Sequence, residues 1–293
     1  MHSNNTAIIL NSEGMGDCLF AIPVIKKLRQ FIDPDSKFAI FTHHPNLFKN
    51  CPYVDVVHEI LNSAELSAFK ETLILFDVSK LPYFLFDTFD FISIPAGLGT
   101  LSFKEKQLEY FPVEEDCSER FDIILNTSVS WPSRSWSIEN WQRLADFVIS
   151  MGYSVAIVGK DVWSTFDKML KKSAPLRNCF DLTNKLSLDQ TFYTIRKSSL
   201  FISCQNGLSV LSGATDTEII VLGMSIEWSK RAIYRNENPH YKVSYINGNC
   251  EISCCAINDC SIFGEFRCIP SLQQVLSLVE RKLHFARKSS HLP

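Results

Sequence analysis

Near its start the chain reads Ala7-Ile-Ile-Leu-Asn-Ser-Glu-Gly-Met-Gly-Asp-Cys-Leu-Phe-Ala-Ile-Pro23. The first four residues of this stretch have the apolar, β-branched content of a buried strand, and residues 17–31 place apolar side chains at helical spacing. Gly14 and Gly16 allow a tight turn between the two. The stretch therefore predicts a strand, a loop and a helix, the unit from which parallel α/β sheets are built.

Short apolar runs with polar or helical segments between them continue through the first half of the chain. We predict further buried strands at Phe38–Thr42, Val54–Val57, Thr72–Phe76 and Phe91–Ile94. The segment Val113–Arg120 is acidic and polar and follows Pro112, which indicates a linker.

A second alternating series follows the linker. Strands are predicted at 121–125, 154–158, 178–182, 200–203 and 218–222, and helices at 137–151, 163–172 and 188–198. Such alternation gives right-handed crossovers and parallel sheets. We therefore expect an α/β fold of two Rossmann-like domains whose parallel sheets face a central cleft. The expected domains are residues 1–115 and 116–270, and residues 271–293 form a helix and basic tail that returns to the first domain.

Composition narrows the function classes. With 46% apolar and 21% charged residues over 293 positions, the chain can fill two cores, which excludes disorder. A formal charge of −3 offers no general attraction for nucleic acid. The first residues lack the basic stretch of a signal peptide, the apolar run Ala7–Leu10 is too short for its hydrophobic region, and no later apolar run approaches about 20 residues. We expect a cytoplasmic protein, and its basic tail raises the alternative of peripheral contact with the inner face of a membrane.

Ten cysteines fall into two groups. Five are scattered, and in a reducing compartment such residues usually behave as small buried hydrophobes: Cys18, Cys51, Cys117, Cys179 and Cys204. The other five lie within residues 250–268 and allow either buried or disulfide-linked thiols or a structural zinc or iron site. The favoured ligand set is Cys250, Cys254, Cys260 and Cys268, with Cys255 as a substitute for Cys254.

Ligands of open α/β sheets bind beyond the carboxyl ends of the strands, so the loops there are the candidate sites. Asp17 lies at the start of the first helix, where it is either a reactive carboxylate or a helix N-cap or first-turn acid. The loop 126–136 is rich in hydroxyls and includes Arg134, a suitable fork for diphosphate oxygens, or else it is a surface loop anchored by Trp136. The Asn206-Gly207 turn either exposes N–H groups to an anion or simply connects a strand to a helix.

Together these loops resemble one family. The run Gly14-Met-Gly-Asp-Cys-Leu-Phe-Ala-Ile-Pro23, the run Arg134-Ser-Trp136 opening a helix, the strand 154–159 and the segments 186–190 and 203–214 follow the order and spacing of the ADP-heptose:lipopolysaccharide heptosyltransferase family. The cysteine segment is similar to the cysteine-containing tail of many members. The resemblance covers most of the chain and implies a GT-B fold, with the acceptor on the first domain and a nucleotide-sugar donor on the second.

The resemblance also implies roles for individual residues. Asp17 matches the base that takes the acceptor's proton, in the acceptor-side loop Gly14-Met15-Gly16. The donor-binding positions match Thr127, Ser128, Arg134, Gln205, Asn206, Gly207 and Leu208. The implied reaction is inverting transfer of a sugar, heptose or related, from an ADP-heptose-like donor to a hydroxyl of a glycan, glycolipid or protein. No cofactor is required for the chemistry, and the oligomeric state is not set by the sequence.

Two positions depart from the family pattern. Gln205 stands where the family has an Asp that contacts the donor sugar, and Val210 stands where it has a His near the phosphates. The first exchange removes a charge and the second removes a donor. A catalytically weakened nucleotide-sugar binding protein is therefore the main alternative. A dinucleotide-dependent oxidoreductase is a further one, suggested by Gly14-Met-Gly16, although Leu19 occupies the third glycine position of that fingerprint.

Overall fold

The computed structural model describes residues 5–60, 69, 71–77, 87–113, 119–128, 132–164, 169–173, 175–223, 225–252, 255, 260 and 263–289. The chain divides into two compact units. Unit 1 comprises Met1–Cys117, Asn206–Asp216 and Trp228–Val243, and unit 2 comprises Ser118–Gln205, Thr217–Glu227 and Ser244–Pro293. No helix within the described ranges is long and apolar enough to cross a bilayer.

Unit 1 contains a four-stranded sheet in the order β3-β2-β1-β4. Its strands are β1 (Thr6–Asn11), β2 (Phe38–Thr42), β3 (Val56–Glu59) and β4 (Glu71–Asp77). All three pairings in this sheet are parallel, with Ile8 opposite Ile40 on β2 and opposite Leu73 on β4. The carboxyl ends of these strands therefore lie at one edge, and the Asp17 loop leaves the sheet there.

Helix α1 (Met15–Arg29) follows that loop and is buried along most of its length. Its buried side chains include Cys18, Leu19, Phe20, Ile22, Val24 and Ile25. Phe20 packs edge to face on Phe89 of the short helix α2 (Thr88–Ser93), with ring centroids 4.9 Å apart. A helix buried on so many sides is an internal element, so its first turn is fixed by packing.

Unit 2 is built on a six-stranded sheet in the order β12-β11-β10-β5-β6-β9. Its strands are β5 (Ile123–Asn126), β6 (Val155–Ile157), β9 (Phe180–Asp181), β10 (Leu200–Cys204), β11 (Glu218–Leu222) and β12 (Val243–Ile246). β10 pairs in parallel with both β5 and β11, which places Ser203 opposite Asn126. A separate antiparallel pair joins β7 (Val162–Ser164) and β8 (Met169–Lys171).

The helices of this part of the chain have clear sequence signals. Ser137 caps α3 (Ile138–Ser150), and Ser187 with Gln190 forms a capping box at the start of α4 (Leu188–Lys197). The short helix α5 (Gly207–Ser212) follows β10, and α6 (Leu272–Ser289) ends the described chain. Trp136 is buried in the core of unit 2 and packs edge to face on Trp141.

Two sequence-based assignments were wrong. The predicted strand Phe91–Ile94 falls largely in α2, because Asp87 caps this helix by accepting a hydrogen bond from the N–H of Asp90. The predicted helix 163–172 is replaced by the β7 and β8 strands on either side of residues 165–168, which lie outside the described part. Short apolar runs do not distinguish strand from helix by periodicity, and the β-branched Val162 and the aromatic Trp163 of β7 favour a strand.

The two units also differ from the predicted domains. Residues 206–216 and 228–243 group with unit 1, although they follow the predicted linker. Helix α6 belongs to unit 2, where Val275, Val279 and Leu283 are buried in the same core as Trp141. The apolar stripe of α6 packs against α3.

Candidate functional site

Asp17 lies in the first turn of α1 in unit 1 and is buried, with 8% of its surface exposed. It is a first-turn acid and not the N-cap, because that position is Gly14, which has no capping side chain. The Asp17 side chain turns back to the loop, where its Oδ2 accepts a hydrogen bond of 2.9 Å from Ser12 Oγ. This contact fixes the orientation of the carboxylate.

The glycines of the loop leave the space that this arrangement needs. A Cβ atom on Gly14 would lie 2.6 Å from Asp17 Oδ2, so a larger residue would displace the carboxylate. Ser12 Oγ also accepts a hydrogen bond of 3.0 Å from the N–H of Gly14. Ser12, Gly14 and Asp17 thus form one hydrogen-bonded turn. Met15, which also belongs to the predicted acceptor-side loop, is not part of this turn, and its side chain lies against Gly207.

The other carboxylate oxygen of Asp17 faces a guanidinium. Arg231 Nη2 lies 2.8 Å from Asp17 Oδ1, and both side chains are about nine-tenths buried, with exposures of 10% and 11%. Their contact is an ion pair by distance, but Oδ1 receives no hydrogen bond of acceptable direction from any described residue. Asp17 therefore has one oxygen held by Ser12 and one buried oxygen whose hydrogen-bonding capacity is unused.

The Asn206-Gly207 turn opens α5 and also belongs to unit 1. Its side chains cap its own backbone: Asn206 Oδ1 accepts from the N–H groups of Leu208 and Ser209, and the N–H of Asn206 donates to Ser209 Oγ. The sequence predicted four exposed N–H groups here, and three of them are engaged within the turn. Gly207 packs closely on α1, since a Cβ on it would lie 3.3 Å from the backbone nitrogen of Gly16.

The remaining predicted donor-binding residues lie in unit 2, beyond β5 and β10. Asn126 ends β5 and is fully buried; its side chain accepts from Ser203 Oγ and donates to Ser128 Oγ at 3.0 Å. Thr127 is buried beside it. Because β5 and β10 are adjacent parallel strands, their following loops emerge side by side.

Arg134 and Gln205 meet in these loops. Arg134 closes a short 3-10 helix, Pro132–Arg134, and its Nη1 donates to the backbone carbonyl of Gln205 at 3.5 Å. The Gln205 side chain is buried, with 3% exposure, and neither its Oε1 nor its Nε2 has a hydrogen-bond partner among the described residues. A buried amide left in this state costs about 1–3 kcal/mol for each unsatisfied group.

The cysteine segment forms a third candidate. The thiols of Cys250, Cys255, Cys260 and Cys268 line one small pocket together with Ser133 and Ser225, which are themselves 3.0 Å apart. Burial, with smaller contributions from the neighbouring Cys250, Cys255 and Cys260, raises the pKa of Cys268 to about 11. Cys254, a member of the predicted ligand set, lies outside the described residues.

The described thiols are not arranged as a metal-binding site. Within the ranges that the structure describes, no three Cys, His, Asp or Glu side chains are placed so that they could hold a metal ion. Of the scattered cysteines, Cys18, Cys51 and Cys204 are buried, as expected, and Cys179 is partly buried. Burial raises the pKa of Cys18 and Cys204 to about 12 and that of Cys51 and Cys179 to about 11, so these thiols stay protonated. Cys117 is not among the described residues.

Sequence reasoning missed Arg231. It lies after β11, in the 3-10 helix Trp228–Arg231, and is brought to Asp17 only by the fold. The only sequence signal for Arg231 was that it forms a basic pair with Lys230. Nothing in that pair identifies Asp17 as the partner of Arg231.

The sequence was compared with known families and proteins. Residues 94–227, a little under half of the chain, match the model of glycosyltransferase family 9 (heptosyltransferase). A comparison with curated proteins finds no significant match.

Solved structures show the same fold over nearly the whole chain. A glycosyltransferase family 9 protein from Veillonella parvula DSM 2008 is 13% identical, with a TM-score of 0.70 over 97% of this chain and 98% of that one. The dodecameric iron-containing heptosyltransferase TibC, in complex with ADP-D-β-D-heptose, is 14% identical, with a TM-score of 0.72 over 96% of this chain and 77% of that one. ADP-heptose lipopolysaccharide heptosyltransferase II of E. coli is 14% identical, with a TM-score of 0.59 over 97% and 99%.

These findings confirm the resemblance and the GT-B α/β class. They do not test the predicted site residues, which stay predictions. Residues 94–227 match the model of glycosyltransferase family 9 (heptosyltransferase), and almost the whole chain has the fold of the solved glycosyltransferase family 9 and heptosyltransferase structures.

Proposed function

We propose that this protein is an inverting glycosyltransferase. It transfers a sugar, heptose or a related one, from a nucleoside-diphosphate donor to a hydroxyl of a glycan, glycolipid or protein acceptor. The family 9 domain supports this proposal. Similar structures that were solved with ADP or ADP-D-β-D-heptose make an ADP-sugar the first donor to test.

The observation that carries the donor side is the buried amide of Gln205. Its two polar atoms are unsatisfied among the described residues, although a buried polar group normally has a partner. An amide can both donate to and accept from sugar hydroxyls, so a bound sugar would satisfy it. Arg134 contacts the backbone of the same residue, and its guanidinium suits phosphate oxygens.

Asp17 is the proposed base. Ser12 holds one of its oxygens, which leaves the hydrogen-bonding capacity of Oδ1 for an acceptor hydroxyl. In the reaction the acceptor oxygen forms a bond to the anomeric carbon, its proton passes to Asp17, and the bond from that carbon to the phosphate oxygen breaks. The electron pair leaves with the nucleoside diphosphate, whose charge Arg134, Thr127 and Ser128 would stabilise.

Nucleotide release measures this proposal directly. Purified protein would be offered ADP-, GDP- and UDP-sugars with candidate acceptors, and free nucleotide would be followed with and without acceptor. We expect acceptor-dependent release from one nucleotide class. Absence of release from every donor, together with absence of nucleotide binding, would overturn the proposal.

A base variant tests the assigned role of Asp17. Asp17→Asn keeps the size and hydrogen-bonding shape of the side chain but removes its basicity, so turnover should fall by about 10²-fold or more. Asp35→Asn is the matched control, since it neutralises an exposed acid of the same unit and should leave turnover unchanged. A rate for Asp17→Asn within a few-fold of wild type would remove Asp17 from the mechanism.

The buried position of Asp17 favours a second candidate, which is nucleotide-sugar binding without transfer. In this structure Oδ1 is covered and faces Arg231, so an alcohol needs this pair to open. Tight binding of a nucleotide sugar with no acceptor-dependent release would support this alternative. The same result would leave the donor site as proposed.

A structural metal at the cysteine segment stays a prediction. A protein of similar fold is described as iron-containing, and four thiols of this chain surround one pocket. As they are placed, the described thiols do not meet the requirement for a metal site. Elemental analysis of protein purified without chelators would decide between zinc, iron and none. Loss of metal in Cys255→Ser but not in Cys254→Ser would assign the ligand between the two neighbours.

A further inference from the structure

The guanidinium of Arg231 lies at a point where two loops of unit 1 meet. The position of a Cβ atom on Gly16 would be 3.2 Å from Arg231 Nη2, 3.3 Å from Gly207 Cα and 3.4 Å from Val210 Cγ2. These three atoms surround the same small space. Arg231 therefore contacts the Asp17 loop and lies beside the first turn of α5 as well.

The segment that carries Arg231 is fixed on the fold. Thr88 Oγ1 at the start of α2 donates a hydrogen bond of 2.9 Å to the backbone carbonyl of Lys230. The Arg231 guanidinium lies over the Phe20 ring, with its Cζ 5.1 Å from the ring centroid. The backbone of this segment is thus anchored. The Arg231 guanidinium stands at the end of a long side chain, so it can exchange Asp17 for another anion without movement of the backbone.

Arg231 has more hydrogen-bonding capacity than Asp17 uses. A guanidinium carries five N–H donors, and the single anionic contact that the described residues give it is the one to Asp17 Oδ1. That contact lacks hydrogen-bond direction. A carboxylate held in a poorly directed contact competes weakly for a guanidinium. A phosphate group competes better, because the guanidinium can donate two parallel N–H bonds to it.

The neighbouring α5 turn offers few other donors to an anion. The N–H groups of Asn206, Leu208 and Ser209 are already engaged within it, and Val210 presents only a methyl group. Among the described residues whose contacts place them around this space, Arg231 supplies the positive charge.

We propose that Arg231 exchanges Asp17 for the diphosphate of the nucleotide donor, and that this exchange frees Asp17 to act as the base. The inference rests on the proposed function. In the unliganded state Arg231 covers and neutralises Asp17, so the carboxylate does not act before a donor is bound. When the diphosphate binds the guanidinium, Asp17 Oδ1 becomes available to the acceptor hydroxyl. The binding order that follows is donor first, acceptor second.

A double-mutant cycle on nucleotide binding tests this exchange. The probe is ADP, with GDP and UDP in parallel, and binding is measured by calorimetry on the full chain without acceptor. Arg231→Gln should weaken binding about tenfold or more, because a charge-assisted contact is lost. Asp17→Asn should tighten binding severalfold, because the competing carboxylate is gone. In the double variant the gain from Asp17→Asn should disappear, which is the signature of coupling through one shared guanidinium.

Controls separate the exchange from simple charge effects. Lys242→Gln removes a positive charge from an exposed ion pair of the same unit and should leave binding unchanged. If Asp17→Asn tightens binding equally with and without Arg231, the carboxylate acts only by repulsion and the exchange is wrong. Arg231→Lys keeps the charge but loses the fork. It should give intermediate affinity, and it serves in place of Arg231→Gln if that variant does not fold.

The outcomes also distinguish this inference from the proposed function. Nucleotide binding that is unchanged in folded Arg231→Gln and in Arg231→Lys overturns the exchange and leaves the glycosyltransferase proposal intact. Failure of wild-type protein to bind any of the three nucleotides overturns both. Acceptor binding to wild-type protein that is as strong without ADP as with it contradicts the binding order, and with it the exchange.

Discussion

The Asp17 loop of unit 1 and the Gln205 loop of unit 2 differ in how their buried polar groups are partnered. In the first, Ser12 donates to one carboxylate oxygen and Arg231 lies beside the other, so the buried charge has an opposite charge next to it, although Oδ1 receives no well-directed hydrogen bond from the described residues. In the second, the amide of Gln205 is buried without a hydrogen-bond partner among the described residues. An opposite charge offsets part of the cost of burying a carboxylate, whereas a buried amide without a partner destabilises the empty protein until water or a ligand satisfies it. The contrast fits the proposed roles, in which Gln205 meets the donor directly and the Asp17–Arg231 pair opens before Asp17 meets the acceptor.

The largest effect expected from this contrast is on the donor. Arg134→Met should raise the donor KM by about 10–100-fold, because charge-assisted hydrogen bonds to the diphosphate are lost. Arg143→Met, on the exposed face of α3, is the matched control and should leave the KM unchanged. Steady-state kinetics with varied donor would measure both. An unchanged donor KM in Arg134→Met would show that unit 2 does not bind the diphosphate through this residue.

A change in the Asp17 loop should act on turnover instead. Gly14 has φ −83° and ψ 111°, which alanine adopts without strain, but a Cβ there would lie 2.6 Å from Asp17 Oδ2. Gly14→Ala should therefore displace the carboxylate and lower kcat about tenfold or more, with little change in donor KM. A normal kcat in a folded Gly14→Ala protein would mean that the orientation of Asp17 is not important for the reaction.

Removal of the unsatisfied Gln205 amide should affect the stability of the empty protein and its affinity for the nucleotide sugar in opposite directions. Gln205→Leu removes two buried unsatisfied groups, so the free energy of unfolding of the empty protein should be unchanged or higher by about 1 kcal/mol. Affinity for the nucleotide sugar should fall severalfold. Gln190→Leu is the contrasting variant, since it breaks the capping box of α4 and should lower stability alone. Destabilisation by Gln205→Leu would mean that its amide already has a partner.

The smallest effect is expected from the buried thiols, one in each unit. Burial raises the pKa of Cys18 in unit 1 and of Cys204 in unit 2 to about 12 from 9.0. The unfolded chain therefore loses these protons first, and their contribution to stability is present below pH 9 and decreases between pH 9 and 12. Urea unfolding should show this alkaline loss, and Cys18→Ala and Cys204→Ala should each make the loss less steep. An identical pH dependence in both variants would contradict it.

Local patterns predicted most of the fold. The strands β1, β2, β5, β10 and β11 and the helices α1, α3 and α4 lie where periodicity and caps placed them, because each signal resides in neighbouring residues. The exceptions are short. Residues 91–94 join a helix whose start is fixed by Asp87. Asp87 and Asp90 both pair with Lys106, which lies more than ten residues further along the chain. Such contacts override the propensity of a short run.

The sequence by itself determined that two parallel α/β units form and that Asp17, Arg134 and Gln205 follow strands, since apolar periodicity and turn residues are local properties. Only the tertiary structure decided which charges meet. Arg231 is 214 positions after Asp17 in the chain and reaches it because the segment Trp228–Val243 packs with unit 1. A through-space ion pair depends on distance and burial, and neither quantity is written in the order of the residues.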